Sequence, residues 1–193
     1  MTDDDDFDKS MDETDWATVY ERQTEREDLV PHLCHLLDLS AGDRVLDIGC
    51  GPGYTTTRLA DRAAPGFVYA LDRHPEALRY LLEEADGDVE HIYPVVGDVE
   101  ALPLRFSHPI STVASLVLHH VDAPERAIEA VAAAIPRDSL FLVIEYHPDA
   151  PHGPPEDHRI PASCMRQWLS TGGFTISEER DLPGGMYAVL GRR

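Results

Sequence analysis

The sequence predicts an α/β protein built on a doubly wound, mostly parallel sheet, and three observations support this fold class. Short apolar runs alternate with segments in which apolar residues recur every three or four positions, as strands alternate with amphipathic helices. Val45–Tyr54 is an apolar run that ends in an acid and then three alternating glycines, the pattern of a strand, a turn and a helix. The last two apolar runs are joined only by Asp181–Gly185, which requires an antiparallel hairpin at the end of the sheet.

The elements form one predicted domain, residues 15–193. Residues 1–14 are rich in aspartate and poor in apolar residues, so we expect a disordered acidic tail. Trp16–Leu39 has helical spacing, but Pro31 cannot lie inside an unbroken helix, which predicts a break near Asp28–Pro31. The further predicted strands are Phe67–Leu71, Ile92–Val96, Thr112–Leu118, Leu140–Tyr146, Phe174–Arg180 and Met186–Gly191, and the predicted helices include Thr55–Ala64 and Ala162–Thr171.

The charge balance is the strongest compositional signal. The chain has 36 acidic and 16 basic residues, a formal net charge of -20, and Lys9 is its one lysine. Repulsion among like charges destabilises a compact chain unless salt screens it. We interpret this composition as adaptation to a salty cytoplasm, and the alternative is an ordinary acidic bacterial protein. The same charge argues against nucleic acid or an anionic membrane as partner, because both require a basic face.

Location and redox state follow from two further features. No apolar run is long enough to cross a membrane, and the N-terminus is acidic where a secretory signal would be basic and then apolar. The cysteines, Cys34, Cys50 and Cys164, are scattered and odd in number, which suits neither a disulfide framework nor a zinc site. We therefore expect a cytoplasmic protein whose cysteines are reduced and which has no metal site.

Acidic residues stand where the first three predicted parallel strands end. In an open parallel sheet, ligands bind outside the carboxyl ends of the strands. Asp72 lies near the offset from the glycines at which a carboxylate reaches a ribose hydroxyl, and Asp98 can accept from an adenine amine. The residues at these strand ends are Asp47, Gly49, Gly51, Gly53, Asp72, Asp98 and the segment from Ser115 to His120. Together they predict a nucleotide-type cofactor site.

Four segments resemble, in order and spacing, the cofactor motifs of class I S-adenosylmethionine-dependent methyltransferases. They are V-L-D-I-G-C-G-P-G-Y, A-L-D-R-H-P-E-A-L, V-G-D-V-E-A-L-P-L and S-L-V-L-H-H-V. The resemblance covers about Trp16 to Arg193 and implies a Rossmann-like methyltransferase fold, a seven-stranded sheet of order 3-2-1-4-5-7-6 whose last strand is antiparallel. Its implied cofactor is S-adenosyl-L-methionine. The tail A-S-C-M-R-Q-W-L-S-T-G-G-F is similar to the small-molecule branch related to quinone-biosynthesis C-methyltransferases.

The resemblance also implies roles for particular residues. Gly49 to Gly53 would hold the methionine end of the cofactor, Asp72 the ribose, and Asp98 with Val99 the adenine. Ser115 would lie beside the sulfonium, and Tyr20 resembles the aromatic residue that such enzymes often fold over the cofactor. The remaining predicted cofactor-binding residues are Asp47, Cys50 and Arg73.

The acceptor side carries no diagnostic motif. Methyl transfer requires in-line positioning and, where the acceptor carries a proton, a base. Histidine can take a proton near neutral pH, and the candidates are His147, His120 and His158, near strand ends or in the proline-rich segment Asp149–Pro161. The pair His119-His120 is also typical of a packing and turn feature. We expect a small-molecule acceptor, and the sequence is also compatible with a homodimer.

Two other functions stay compatible with the sequence. A nicotinamide-dependent oxidoreductase is the less favoured of the two, because its motif needs a third glycine at the position that Tyr54 occupies. A regulatory protein that binds the cofactor without turnover is also compatible, because nothing on the acceptor side identifies a substrate.

Overall fold

A seven-stranded sheet forms the centre of the protein in a computed structural model that describes residues 14–84 and 89–193. The strands are β1 (Arg44–Ile48), β2 (Phe67–Asp72), β3 (Ile92–Val96), β4 (Ser111–Ser115), β5 (Leu140–Tyr146), β6 (Thr175–Leu182) and β7 (Met186–Arg192). Their order is β3-β2-β1-β4-β5-β7-β6, and β7 runs antiparallel to both β5 and β6. This confirms the predicted fold class and strand order. The predicted acidic tail lies, up to residue 13, outside the described residues.

Six α-helices of the described chain pack on the sheet: α1 (Trp16–Thr24), α2 (Leu29–Leu36), α3 (Tyr54–Ala63), α4 (Pro75–Glu83), α5 (Pro124–Ala134) and α6 (Ala162–Thr171). The predicted break near Asp28–Pro31 is present, because α1 ends at Thr24 and α2 holds Pro31 in its first turn. Proline is tolerated there because the first N–H groups of a helix have no partner within it. No helix in the described ranges is long and apolar enough to cross a membrane.

The core consists of two apolar layers, one on each face of the sheet. Successive side chains of a strand point to opposite faces. Val45 of β1 accordingly packs with α2, α3 and α4, whereas Leu46 and Ile48 pack with α5 and α6. Strand β1 lies between β2 and β4, and the chain order reverses there, so a crevice opens at the carboxyl ends of these strands.

Strand β4 is shorter than predicted. The sequence predicts a strand to Leu118, but β4 ends at Ser115, and residues 118–120 form a turn of 3-10 helix. The reason is local, because Leu116 has a φ of 56°, which no strand residue adopts. The chain therefore turns sharply where β4 reaches the crevice, and this turn carries His119 and His120.

Candidate active site

A turn of three glycines joins β1 to α3 at the crevice. Gly49, Gly51 and Gly53 have φ values of 65°, 55° and 93°, which are strained for residues with a Cβ atom. A Cβ at Gly53 would lie 2.0 Å from Leu81 Cδ1, and one at Gly49 would lie 2.1 Å from Val117 Cγ2. The amides of Gly49 and Cys50 donate to the carbonyl of Leu71, which fixes the turn to the end of β2. Glycine is thus required here by both conformation and space.

Asp72 ties the end of β2 to the glycine turn. One carboxylate oxygen accepts from the amide of Gly51 at 2.8 Å, and the other accepts from the amide of His74 at 2.9 Å. The side chain is buried at the base of the crevice. Each carboxylate oxygen can accept more than one hydrogen bond, so Asp72 has acceptor capacity left for a ligand hydroxyl.

Asp47 is a buried acid under the same turn. Its Oδ2 accepts from the hydroxyl of Thr56 at 2.7 Å. Burial raises the pKa of Asp47 to about 7, the Thr56 hydrogen bond opposes that rise, and the negative charge of Asp72 adds to it. Asp47 is therefore an acid that can change its charge near neutral pH.

Helix α1 lies against the glycine turn through a residue that the sequence did not reveal. Gln23 accepts from the amide of Tyr54 at 3.0 Å, and its side-chain nitrogen is 3.4 Å from the carbonyl oxygen of Cys50. Tyr20 lies on the same face of α1, buried against the rings of Tyr54 and Tyr80. The three-residue spacing of Tyr20 and Gln23 on one helix face was a signal that could have pointed to Gln23.

The other predicted cofactor residues lie at the same edge of the sheet. Asp98 follows β3 and accepts from the amide of Glu100 at 2.8 Å, which caps the short turn that holds the buried Val99. Arg73 follows β2, and its Nε is 3.0 Å from His74 Nε2. Ser115 ends β4. The fold therefore brings the strand-end residues to one edge, as the parallel topology requires.

A cavity of about 300 Å³ opens beside the turn that follows β4. Its lining includes Leu118, His119, Asp157, His158, Arg159, Ile160 and Trp168. The Arg159 guanidinium donates to the carbonyls of Pro148, Ala150 and Pro154, so this lining residue ties the proline-rich segment to one wall of the cavity. The cavity is large enough for part of a small organic molecule.

The candidate histidines separate into two places. His158 lines the cavity, and the ring of His120 lies against that of His119, with ring centroids 4.1 Å apart and ring planes tilted by 44°. Desolvation, reinforced by His119 and Arg73, lowers the pKa of His120 and makes it a weaker base. His147 is not among the residues that line the cavity, and its Nε2 lies 3.0 Å from Asp181 Oδ1 in the final hairpin.

His119 has the most constrained environment of the histidines near the cavity. Its Nδ1 lies 2.6 Å from Glu145 Oε2, and both side chains are buried. The other oxygen of Glu145 accepts from the amides of Leu118 and His119 at 2.7 and 3.3 Å. One acid on β5 thus orients both the turn and the ring.

The sheet, its order and the glycine turn at its switch point define the Rossmann-like methyltransferase fold. Residues 45–137 match the family model of the methyltransferase domain. The fold and this match make the chain similar to the class I S-adenosyl-L-methionine-dependent methyltransferases, and S-adenosyl-L-methionine is the cofactor of that class.

Individual relatives match in part or at low identity. A protein-L-isoaspartate O-methyltransferase from Aeropyrum pernix is 41% identical over 73 residues, which are 36% of this chain and 28% of that protein. The chain spans only 27–28% of the length of the first curated relatives it matches. A methyltransferase from Aquifex aeolicus has a TM-score of 0.79 at 17% identity, covering 93% of this chain and 98% of that one. A chain from the complex of the Haloferax volcanii Trm112 methyltransferase activator with a methyltransferase has a TM-score of 0.75 at 18% identity, covering 92% and 95%. At such identities the structural likeness shows the fold alone.

Proposed function

We propose that the protein transfers the methyl group of S-adenosyl-L-methionine to a small-molecule acceptor. The observation that carries this proposal is the arrangement of two sites along one edge of the sheet. The glycine turn, Asp72 and Asp98 surround the ends of β1, β2 and β3, and the cavity opens beside the end of β4. A donor and an acceptor bound in these places would meet near Ser115.

The residues of the glycine turn fit the cofactor on physical grounds. Among the residues that the structure describes, a Cβ at Gly51 would meet only the side-chain amide nitrogen of Gln23, at 3.2 Å, so this side of the turn faces a side chain that can move. Helix α3 begins at Tyr54, and its partially positive N-terminus suits the methionine carboxylate once Gln23, which accepts from the Tyr54 amide at 3.0 Å, moves aside. The acceptor oxygens of Asp72 suit the ribose diol, and Asp98 with Val99 suits the adenine. When bound, the cofactor supplies a methyl group already activated on a sulfonium.

A small acceptor is favoured over a nucleic acid by charge. The net charge of -20 repels phosphate backbones, and a nucleic-acid interface requires a basic face. Among small molecules, the similarity of the C-terminal helix to quinone-biosynthesis C-methyltransferases makes phenolic and quinol rings the first acceptors to test. A protein acceptor, which the name of the Aeropyrum pernix protein-L-isoaspartate O-methyltransferase indicates for that relative, is the second candidate.

One labelling experiment tests the proposed activity. The protein is incubated with cofactor carrying a labelled methyl group and a cell extract divided into small molecules and macromolecules, in molar KCl. We expect label in the small-molecule fraction. Label confined to macromolecules would refute the small acceptor. Tight binding of the cofactor with label in neither fraction would favour the regulatory alternative.

Asp72 provides a test of the cofactor site. Hydrogen bonds to a charged group contribute about 1.5–3 kcal/mol each, so losing two ribose contacts in Asp72→Ala should weaken cofactor binding by about 100-fold or more. Titration calorimetry with S-adenosylhomocysteine measures this affinity. Asp157→Ala is the matched control, because it removes an acid from the cavity lining and leaves the glycine turn untouched. Unchanged affinity in Asp72→Ala would contradict the ribose role.

The acidic composition leads to a prediction about salt. We expect the melting temperature to rise by many degrees between dilute and molar KCl, because screening shortens from about 10 Å to about 3 Å over that range. Sucrose at equal osmolality is the control, since it stabilises compact states without screening charge. Equal rises in KCl and sucrose would contradict the adaptation to a salty cytoplasm.

A further inference from the structure

The pair His119–Glu145 is more elaborate than the packing of a turn requires. Both side chains are almost fully buried, 5% and 1% exposed, although burying polar groups is costly unless they are paired. A backbone carbonyl or a small hydroxyl could have satisfied the two amides of the turn. The structure instead holds a carboxylate under a histidine that lines the cavity.

We propose that His119 is the base that removes the proton from the acceptor, and that Glu145 is its positioning residue. This inference rests on the methyl transfer proposed above. It differs from the interpretation of the sequence, in which His119 and His120 form a turn and the candidate bases are His120, His147 and His158.

The geometry assigns each ring nitrogen a role. Glu145 as a carboxylate can only accept, so the 2.6 Å contact with Nδ1 places a proton on that nitrogen. In the neutral ring Nε2 then carries the lone pair, and a carboxylate behind a histidine also stabilises the cation that forms when the ring takes a proton. His120 is a weaker base, and His147 is held by Asp181 in the hairpin, so neither competes for this role.

The reaction balances without any further reagent. A lone pair on the acceptor oxygen or nitrogen forms the new bond to the methyl carbon, while the carbon–sulfur bond breaks and its electron pair stays on sulfur. The proton of the acceptor moves to His119 Nε2 and later to water. The acceptor class is therefore a molecule that loses an O–H or N–H proton on methylation, such as a phenol methylated on oxygen, in contrast to the carbon methylation of the quinone-biosynthesis enzymes that the C-terminal helix resembles, and not a thioether or other proton-free nucleophile.

Glu145→Gln is the decisive variant. The amide oxygen of Gln can still accept from the amides of Leu118 and His119, so the turn keeps its shape. Its amide nitrogen, however, donates to Nδ1 and forces the ring proton onto Nε2. A correctly placed ring of the wrong tautomer should lower the turnover number for the acceptor by 10²–10⁴-fold, the range of general base catalysis, with cofactor affinity unchanged. His119→Gln, which has no ring, should show a similar loss.

The control is a histidine at the opposite end of β4 from His119. His108 precedes β4, exposed and 3.0 Å from the hydroxyl of Ser107, so His108→Gln makes the same chemical change away from the crevice and should have no effect.

Nitrogen NMR of the histidine rings provides a test that needs no turnover. We expect His119 to carry its proton on Nδ1 in the wild type and on Nε2 in Glu145→Gln. The opposite tautomer in the wild type would overturn the proposal even if methyl transfer is found. Wild-type turnover in both variants would overturn it as well and would leave the proposed methyl transfer intact. Absence of cofactor binding by the wild type would instead refute the proposed function.

Discussion

Replacing Gly53 by alanine should destabilise the protein by about 2–5 kcal/mol and abolish cofactor binding. Gly53 is the cap of α3 with a φ of 93°, and a left-handed conformation costs a residue with a Cβ about 1–2 kcal/mol. The added methyl would also lie 2.0 Å from Leu81 Cδ1, and overpacking a core typically costs a further 1–3 kcal/mol. To avoid that clash, either α4 or the glycine turn must move, and the glycine turn is the proposed binding site of the cofactor. Urea unfolding and cofactor titration measure the two effects.

Gly42 offers a control matched in conformation. It has the same φ of 93°, but a Cβ there would meet no atom of residues 14–84 and 89–193 within 4 Å. Gly42→Ala should therefore show only the conformational cost and keep full cofactor affinity. The difference between the two variants isolates the contact between the turn and Leu81. If Gly53→Ala were as stable as Gly42→Ala, the turn would be looser than its packing indicates.

The fold was accessible from sequence because each of its elements has a local signature. Ile92–Val96 and Leu140–Tyr146 are short apolar runs between turn residues, and the structure gives both strands the predicted bounds. The hairpin follows from the length of its connection. The error at β4 also has a local cause, since the apolar Leu116 gives no sign in the sequence of its left-handed backbone.

The contacts of the proposed acceptor site were harder to predict from sequence, because they depend on the register in which neighbouring strands pair. Glu145 reads as one polar residue in the apolar run L-F-L-V-I-E-Y, and a buried carboxylate must find a partner on another element. That partner is chosen by the pairing of β5 with β4, in which Ser115 lies opposite Ile144. The pairing places the turn after Ser115 over Glu145. No spacing within one segment carries that information.

Replacing Asp47 by asparagine should change how the stability of the protein depends on pH. The pKa of this buried acid is raised from 3.8 to about 7, so between pH 4 and pH 7 the folded chain keeps a proton that the unfolded chain has lost. The wild type must then lose stability as pH rises through that window, by roughly 4 kcal/mol from one such group. Asp47→Asn cannot titrate and can still accept from Thr56, so it should be the more stable protein above pH 7.

The measurement is the difference in unfolding free energy between wild type and variant across pH 4–8, because this difference cancels the other carboxylates. Asp61→Asn, on the exposed face of α3, is the control and should leave the pH dependence unchanged. Parallel curves for wild type and Asp47→Asn would show that Asp47 does not titrate in this window.

We propose that the ionised Asp47, which destabilises the folded protein, strengthens cofactor binding. The methionine end of S-adenosyl-L-methionine carries an ammonium and a sulfonium, and a nearby cation favours the ionised carboxylate. Binding below pH 7 should therefore expel the proton of Asp47, so wild-type affinity should fall as the pH drops below 7. Asp47→Asn should bind more weakly at pH 8 and lose this dependence. Greater stability together with weaker binding in one variant is thus the result expected if the bound cofactor compensates the buried charge of Asp47.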